Sequence, residues 1–221
     1  MKILSAKLPR IVFLSSSFAL YAMGMQLICE AEKNQNDLQR ALDKLKLSPQ
    51  LAVERKLRLE MFGVLERRAP ALSEVDRWKL SGTVVKYSQE NGHDPYLLLA
   101  VIETESAYKS DAVSNMGAVG YMQVRPFVAR SIADELDPAA AAGMEDLTDM
   151  ETNLRLGSYY LSKMKGKFKN LDIALIAYNQ GPTKISASLR QGKELDMRYS
   201  RKVLNSLESI LKEVSPFKRA A

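Results

Sequence analysis

The fold is decided by the stretch DPYLLLAVIETESAYKSDAVSNMGAVGYMQVRP, which runs from Asp94 to Pro126. Asp94 is a residue type that caps helices, and Pro95 suits the first helical position, so we expect a helix to begin here. The run from Tyr96 to Ile102 is apolar, and at helical spacing its side chains cover nearly every face. The sequence therefore predicts a helix that is buried on most of its sides.

Two glutamates, Glu103 and Glu105, end this apolar run. Glu105 shares its stripe with Leu98 and Val101, whereas Glu103 lies above Leu99. Burial disfavours a charged carboxylate, and the negative end of the helix dipole acts in the same direction, so a raised pKa is expected. A carboxyl group that keeps its proton near neutral pH can serve as a general acid. The alternative is that both groups merely solvate a helix end, and periodicity does not choose between them.

A glycine-containing loop follows the helix, from Ser114 to Gln123. Glycines let the backbone approach a ligand closely, and the polar side chains between them offer hydroxyl and amide groups to it. The loop therefore favours a binding site beside the glutamates over a solvated helix end.

This helix end and loop resemble the core motif of the soluble lytic transglycosylases, bacterial enzymes that cut peptidoglycan and have a fold related to goose-type lysozyme. The resemblance lies in Glu105-Ser106, in Ala112-Val113-Ser114 and in the run from Gly117 to Gln123. In that pattern the glutamate directly before the serine is catalytic, so the resemblance implies that Glu105 is the catalytic residue. It also implies substrate-binding roles for Ser106, Ser114 and Gln123.

Tyr178-Asn179, with Gly181-Pro182 shortly after it, resembles a second motif of the same family. The resemblance implies that Tyr178 and Asn179 bind substrate, with the Tyr178 hydroxyl pointing at Glu105 or at the sugar. Without it, Tyr178 would be interpreted as a core residue and Asn179 as a helix cap. Tyr199 resembles a third family tyrosine that faces the cleft.

The resemblance covers roughly residues 73–203, and three positions depart from the pattern. Tyr121 stands where the family usually has leucine, Arg125 where it favours an apolar residue, and Gln180 where it favours alanine. We expect Arg125 and Gln180 to alter which stem peptides or subsites are favoured.

Helical periodicity recurs along the rest of the chain, and no strand pattern is found. Helices are predicted from Pro49 to near Pro70, from Ser73 to Asn91, and over 126–136, 146–165, 171–177 and 197–214. Val75 and Trp78 are assigned to the apolar side of the second of these. Gly157, inside a helix, is expected to let another helix pass close by. The loop from 117 to 123 is expected to be irregular or to form a short hairpin.

The predicted fold class is therefore all-α, a lysozyme-like helical domain around a central buried helix, with an N-terminal helical extension. Residues 1–31 have a basic start and an apolar run, which indicates a signal peptide or an uncleaved signal anchor. Residues 32–72 are a helical extension or spacer, 73–214 the catalytic domain, and 215–221 a tail. The protein is expected to be exported, either periplasmic or anchored in the inner membrane facing the periplasm.

The charge and composition of the chain limit the classes of partner and cofactor that we expect it to bind. The net charge of +6 and the pI near 9.3 suit contact with an anionic polymer, such as the cell wall. No lysine or arginine cluster with interleaved aromatics is present, so nucleic acid is not expected. His93 and Cys29 are the single histidine and cysteine, so neither a metal nor any other cofactor is expected. Membrane contact is expected only through the N-terminal segment, if it is uncleaved.

The resemblance implies a peptidoglycan lytic transglycosylase, which cleaves the β-1,4 bond between N-acetylmuramic acid and N-acetylglucosamine without water and leaves 1,6-anhydromuramyl ends. An ordinary glycosidase uses two carboxylates, but no second one occurs in the loop or the tyrosine motif. Two alternatives remain open. One is a hydrolytic muramidase, and the other is a non-catalytic peptidoglycan-binding scaffold that docks on an envelope machine through residues 32–72.

Overall fold

The structure is a computed structural model, and it describes residues 49–136 and 146–218, together with four single helical positions between 26 and 36. Apart from two of those positions, the predicted signal segment lies outside the described residues, as does the end of the predicted tail. The chain divides into two compact units, Met1–Val53 and Glu54–Ala221.

Eight helices are formed by the described residues: α1 Pro49–Arg68, α2 Glu74–Glu90, α3 Pro95–Ser106, α4 Pro126–Leu136, α5 Met150–Phe168, α6 Leu171–Gln180, α7 Pro182–Arg190 and α8 Arg198–Lys218. Within 49–136 and 146–218 there is no strand, and the loop after α3 holds only isolated antiparallel bridges from Val119 to Val113 and Val124. The all-α prediction is confirmed. The loop is irregular, as one of the two expectations had it.

Helix α3 is the centre of the unit. Its residues from Leu98 to Ile102 have no exposed surface, and α8 and α2 pack against it. The Asp94 carboxylate accepts a hydrogen bond from the Tyr96 amide at 2.8 Å, which caps the helix as expected. Ala107, in a left-handed conformation with φ 49°, ends it. The predicted central buried helix is confirmed.

The predicted starts of α2 and α4 are correct, whereas α5 begins later than expected. Ser73 caps α2 by accepting a hydrogen bond from the Asp76 amide at 3.0 Å. Helix α5 begins at Met150 rather than Asp146, because Asp149 caps the Thr152 amide at 2.8 Å. The Asp146 carboxylate instead accepts from the Thr148 amide in a turn before the helix.

The assignment of Val75 to the apolar side of α2 is wrong, since 62% of its surface is exposed. The buried face of α2 is formed by Leu80, Val84 and Tyr87, and Val75 lies in the first turn, before that face reaches the core. Trp78 is partly exposed and packs edge-on against Phe62 of α1, with ring centroids 5.7 Å apart. The two aromatic rings therefore form a contact between α1 and α2.

The second half of the predicted extension belongs to the helical unit. Met61, Val64 and Leu65 of α1 have no exposed surface and join the same core as α3. Among the described helices, none combines the length and the apolar character that a bilayer crossing needs. Helix α7, which begins at Pro182, was not predicted from the sequence.

Candidate active site

The glycine-containing loop is fixed to α5 by one buried side chain. Asn153 donates through Nδ2 to the carbonyls of Val119 and Leu147, at 2.9 and 2.8 Å, and accepts through Oδ1 from the Met122 amide at 2.8 Å. Gly120 has φ +80°, and a Cβ there would lie 2.3 Å from Asn153 Nδ2. Only glycine leaves room for this arrangement, so the loop has a single position relative to α5.

Gly157 provides the second close approach. A Cβ at this position would lie 2.7 Å from both Cβ and Sδ of Met122. The expectation that another helix passes Gly157 is therefore wrong, because the neighbour is the loop. The missing side chain on α5 makes room for the fully buried Met122.

The loop forms one wall of a pocket of about 780 Å³. The opposite walls come from the end of α3, the start of α4, the middle of α5, and the turn from α6 to α7. Described residues that line it are Glu105, Ser114, Met116, Ala118, Gln123, Arg125, Phe127, Val128, Tyr160 and residues 178–184. Of the predicted site residues, five therefore meet at this pocket: Glu105, Ser114, Gln123, Tyr178 and Asn179.

Glu105 stands half-buried at the pocket from the last turn of α3. Burial raises its pKa to about 7, and this effect exceeds the opposing influence of the Tyr199 hydrogen bond and of the positive charge on Lys202. The Tyr199 hydroxyl donates to Glu105 Oε1 at 2.5 Å. At neutral pH a substantial fraction of this carboxyl group is protonated, and it opens onto a space that a ligand can fill.

Glu103 has different surroundings. Arg68 of α1 donates to both of its oxygens, at 3.0 and 2.9 Å, and the Ser206 hydroxyl of α8 donates to Oε2. The same guanidinium donates to Glu213 at 2.6 Å. Glu103 does not line the pocket, so geometry separates the two glutamates that periodicity left equivalent.

The expected direction of the Tyr178 hydroxyl is wrong. It donates to the Met122 carbonyl at 2.7 Å rather than pointing at Glu105 or into the pocket. The ring lines the pocket and packs against Tyr160, with centroids 5.4 Å apart. Tyr178 thereby joins the loop to α6 and presents an aromatic face to the pocket.

Three other predicted site residues use their polar groups in hydrogen bonds within the protein. Ser114 Oγ accepts from the Ala118 amide at 3.0 Å, inside the loop. Gln123 donates through Nε2 to the Ala112 and Gly120 carbonyls, at 2.9 and 3.0 Å. Ser106 is buried and donates to the carbonyl of residue 102 at 3.1 Å, away from the pocket. Asn179 is exposed at the pocket edge.

The pocket also contains residues that the motifs did not indicate. Met116, Phe127 and Lys184 line it. Met116 and Phe127 are large apolar side chains that are 71% and 61% exposed. The only sequence signal for them was proximity to the motifs, because the fold brings α4 and α7 to the loop.

No group of three potential metal ligands occurs among the residues that the structure describes. His93 is buried, and burial lowers its pKa. Its Nε2 donates to the Ser158 carbonyl at 2.8 Å, and its Nδ1 accepts from Lys165 at 3.1 Å. These contacts join the start of α3 to α5, and both ring nitrogens are occupied.

The transglycosylase SLT domain family matches residues 82–200, more than half of the chain. The chain belongs to this family. The matched region includes α3, the loop and α6, which carry the pocket and Glu105. It ends just after Tyr199.

Individual relatives agree with this membership. The chain is 34% identical over 91 residues to the membrane-bound lytic murein transglycosylase C of Sodalis glossinidius, covering 41% of this chain and 26% of that one. It is 29% identical over 126 residues to the membrane-bound lytic murein transglycosylase E of Buchnera aphidicola, covering 53% and 59%. The chain thus spans about a quarter to three fifths of the length of these curated relatives.

A solved structure shares the fold. It is the lytic transglycosylase Slt of Pseudomonas aeruginosa, determined as an inactive glutamate-to-glutamine mutant. The TM-score is 0.52 at 26% identity, and the match covers 60% of this chain and 24% of that one. The lysozyme-like all-α architecture is confirmed by this likeness.

Proposed function

We propose that the protein is a peptidoglycan lytic transglycosylase that cleaves the β-1,4 bond between N-acetylmuramic acid and N-acetylglucosamine. The observation that carries this proposal is the half-buried Glu105 at the pocket, with its pKa raised to about 7. Membership of the SLT family and the names of the relatives support the same reaction.

In the first step, protonated Glu105 donates its proton to the glycosidic oxygen, and the bond from that oxygen to the anomeric carbon of the muramic acid breaks. A group with a pKa near the working pH can both give and regain a proton, which is what this chemistry needs. The acetamide oxygen of the same muramic acid attacks the anomeric carbon and takes the place of a protein nucleophile. No second carboxylate lines the pocket among the described residues, which suits this substrate-assisted route.

In the second step, the C6 hydroxyl of the muramic acid attacks the anomeric carbon and its proton passes to the Glu105 carboxylate. The acetamide oxygen leaves, and a 1,6-anhydro ring forms. Atoms balance without water, and Glu105 is protonated again. Tyr199, which donates to Glu105, stabilises the carboxylate between the two steps. The aromatic faces of Tyr160 and Tyr178 are suited to hold sugar rings in the required pose.

The proposal is tested by digesting purified sacculi in water labelled with heavy oxygen and determining the masses of the released muropeptides. A lytic transglycosylase gives anhydro ends that lack one water and carry no label. A hydrolytic muramidase gives reducing ends that are heavier by one labelled water. Labelled reducing ends would establish the muramidase instead, and release of nothing by folded protein would leave a peptidoglycan-binding scaffold.

Export follows from the proposed substrate, because peptidoglycan lies outside the cytoplasmic membrane. We therefore propose a periplasmic protein, either free or anchored through residues 1–31. An envelope-machine partner that docks through residues 32–72 stays a prediction. Periplasmic fractionation tests the location, and a pull-down with the full chain and with residues 32–48 deleted tests the partner.

A further inference from the structure

The pocket beside Glu105 carries two positive charges that no described residue neutralises. Among the described residues that line it, the charged ones are Glu105, Arg125 and Lys184. Arg125 is half-buried and Lys184 is exposed. Within 49–136 and 146–218, neither side chain forms an ion pair or a hydrogen bond. The charges of the described lining residues therefore sum to a positive value whenever Glu105 holds its proton.

Both cations stand where a helix disfavours them. Arg125 directly precedes α4, and its carbonyl accepts the first helical hydrogen bond from the Ala129 amide at 2.9 Å. Lys184 lies in the first turn of α7, and neither helix has an acidic residue in its first turn. The N-terminal end of a helix is partly positive, so it repels cations and attracts anions. An anion in the pocket would relieve both repulsions.

Arg125 lines the pocket together with two aromatic side chains, Tyr160 and Tyr178. Its charge is close enough to Tyr160 to oppose the rise that burial causes in the pKa of that tyrosine. The Tyr160 ring in turn packs against Tyr178. Arg125 and both rings line the same pocket, so a ligand that fills it contacts all three.

We propose that Arg125 and Lys184 bind a carboxylate of the glycan strand, so that the pocket selects substrate by the anionic substituent of N-acetylmuramic acid. The inference rests on the proposed function, since it assigns a group of that same substrate to these two side chains. A planar guanidinium matches a carboxylate geometrically, and the partial burial of Arg125 strengthens the pair relative to open solvent. Arg125 is thus a specificity-determining residue at a position where the resembled family favours an apolar side chain.

Peptidoglycan offers the carboxylate from two sources. One is the stem peptide, through its acidic residues and its C-terminus. The other is the lactyl group, which is a free acid wherever the peptide has been removed. Both carboxylates belong to the substituent of the same sugar, the first with the peptide attached and the second without it, so the chemistry is shared and the substrate preparation separates the two sources.

The test compares four preparations of glycan strands: peptide-bearing and peptide-free, each with its carboxylates intact or converted to neutral methylamides. For the wild-type protein we expect kcat/KM to be about tenfold higher on intact strands in at least one of the two pairs, as one charge-assisted contact would give. The Arg125→Met/Lys184→Met double variant should lose this preference. Arg130→Met, which alters an exposed arginine of α4 outside the pocket, should retain it. The pair that shows the preference identifies the source of the carboxylate.

Binding separates this inference from the proposed function. Calorimetric titration of the Glu105→Gln variant with the same four preparations reports the contact without turnover. If the wild type cleaves nothing, the proposed function fails, while tighter binding of intact strands still supports the carboxylate contact. Equal treatment of intact and amidated strands by the wild type in both assays would overturn the inference, as would an undiminished preference in the double variant. Lys184→Met alone, at an exposed position, replaces the double variant if the latter melts early.

Discussion

Glu103 and Glu105 are separated by one residue on α3, yet they lie in two different surroundings, a cluster of ion pairs and a pocket. Glu103 faces α1 and α8, where Arg68 meets both of its oxygens and Ser206 donates a further hydrogen bond. Glu105 faces the pocket, where the Tyr199 hydroxyl at 2.5 Å is the close donor and burial raises the pKa to about 7. Two residues along a helix turn a side chain by about 200°, which is enough to place the two in different surroundings.

Helix α8 supplies a partner to both groups. Tyr199 and Ser206 are seven residues apart, two helical turns, so they lie on one face of α8 and contact α3 at both glutamates. The difference between the glutamates comes from a third helix, because α1 brings a guanidinium to Glu103, whereas no described guanidinium forms a hydrogen bond with Glu105. A glutamate in an ion pair and a glutamate with a raised pKa can thus share one helix turn when different neighbours cover its two sides.

The largest expected effect is on turnover. Glu105→Gln removes the proton that the proposed reaction needs, so activity on sacculi should fall by at least about a hundredfold, the range for losing an acid–base group. Glu90→Gln changes an exposed glutamate at the end of α2 and should leave activity unchanged. Release of muropeptides measures both. Retained turnover in the Glu105→Gln variant would reject the assignment of Glu105 and return attention to Glu103.

The second effect is on the pH dependence of stability. The pKa of Glu105 is about 7 in the folded protein and near its usual 4.5 when unfolded. The folded state therefore binds this proton more tightly, and stability from this group is full below about pH 4.5 and is lost as the pH rises through 7. Glutamine mimics the protonated form, so Glu105→Gln should match the wild type near pH 4 and exceed it near pH 8, by at most about 3 kcal/mol. Urea denaturation at the two pH values measures this difference, and a variant less stable than the wild type at the higher pH would contradict it.

Glu103→Gln should act in the opposite direction. The substitution leaves Arg68, whose side chain is only 13% exposed, with Glu213 as its remaining charged partner. Because a partly buried ion pair loses one member, we expect a loss of about 2 kcal/mol in the free energy of unfolding near pH 8. The same urea experiment measures it. Activity per folded molecule should be retained, and a hundredfold loss of activity in a stable Glu103→Gln variant would contradict the separation of the two roles.

The sequence was sufficient to predict the elements around this comparison. Capping residues such as Asp94 and Ser73 located helix starts, because their hydrogen bonds are local in the chain. The apolar run before Glu103 predicted a buried α3. The choice of Glu105 over Glu103 depended on the resembled motif, since both groups end the same run.

What the sequence did not predict depends on contacts between distant residues. Arg68 and Glu103 are 35 positions apart, and no local pattern pairs them. The Tyr178 hydroxyl donates to the Met122 carbonyl in the loop. A buried carbonyl requires a hydrogen-bond donor, and the sequence does not show which donor the fold brings to it. Gly157 accommodates the same Met122, which periodicity within α5 could not indicate.

The smallest expected effect is on the pH dependence of activity, and it concerns Tyr199, the hydrogen-bond donor to Glu105. Its hydroxyl donates to Glu105 and stabilises the carboxylate form, so Tyr199→Phe should raise the pKa of Glu105 further. Activity that requires the protonated acid falls as the pH passes its pKa, and this fall should therefore move to higher pH in the variant. Since the carboxylate formed between the two steps loses a donor, kcat/KM should also drop by about three- to tenfold. Tyr159→Phe removes a hydroxyl bonded to Glu135 at 3.2 Å on the surface, and it should change neither quantity. A pH–rate profile for the three proteins measures both effects, and an unshifted profile for Tyr199→Phe would mean that the Tyr199 hydrogen bond does not help to set the pKa of Glu105.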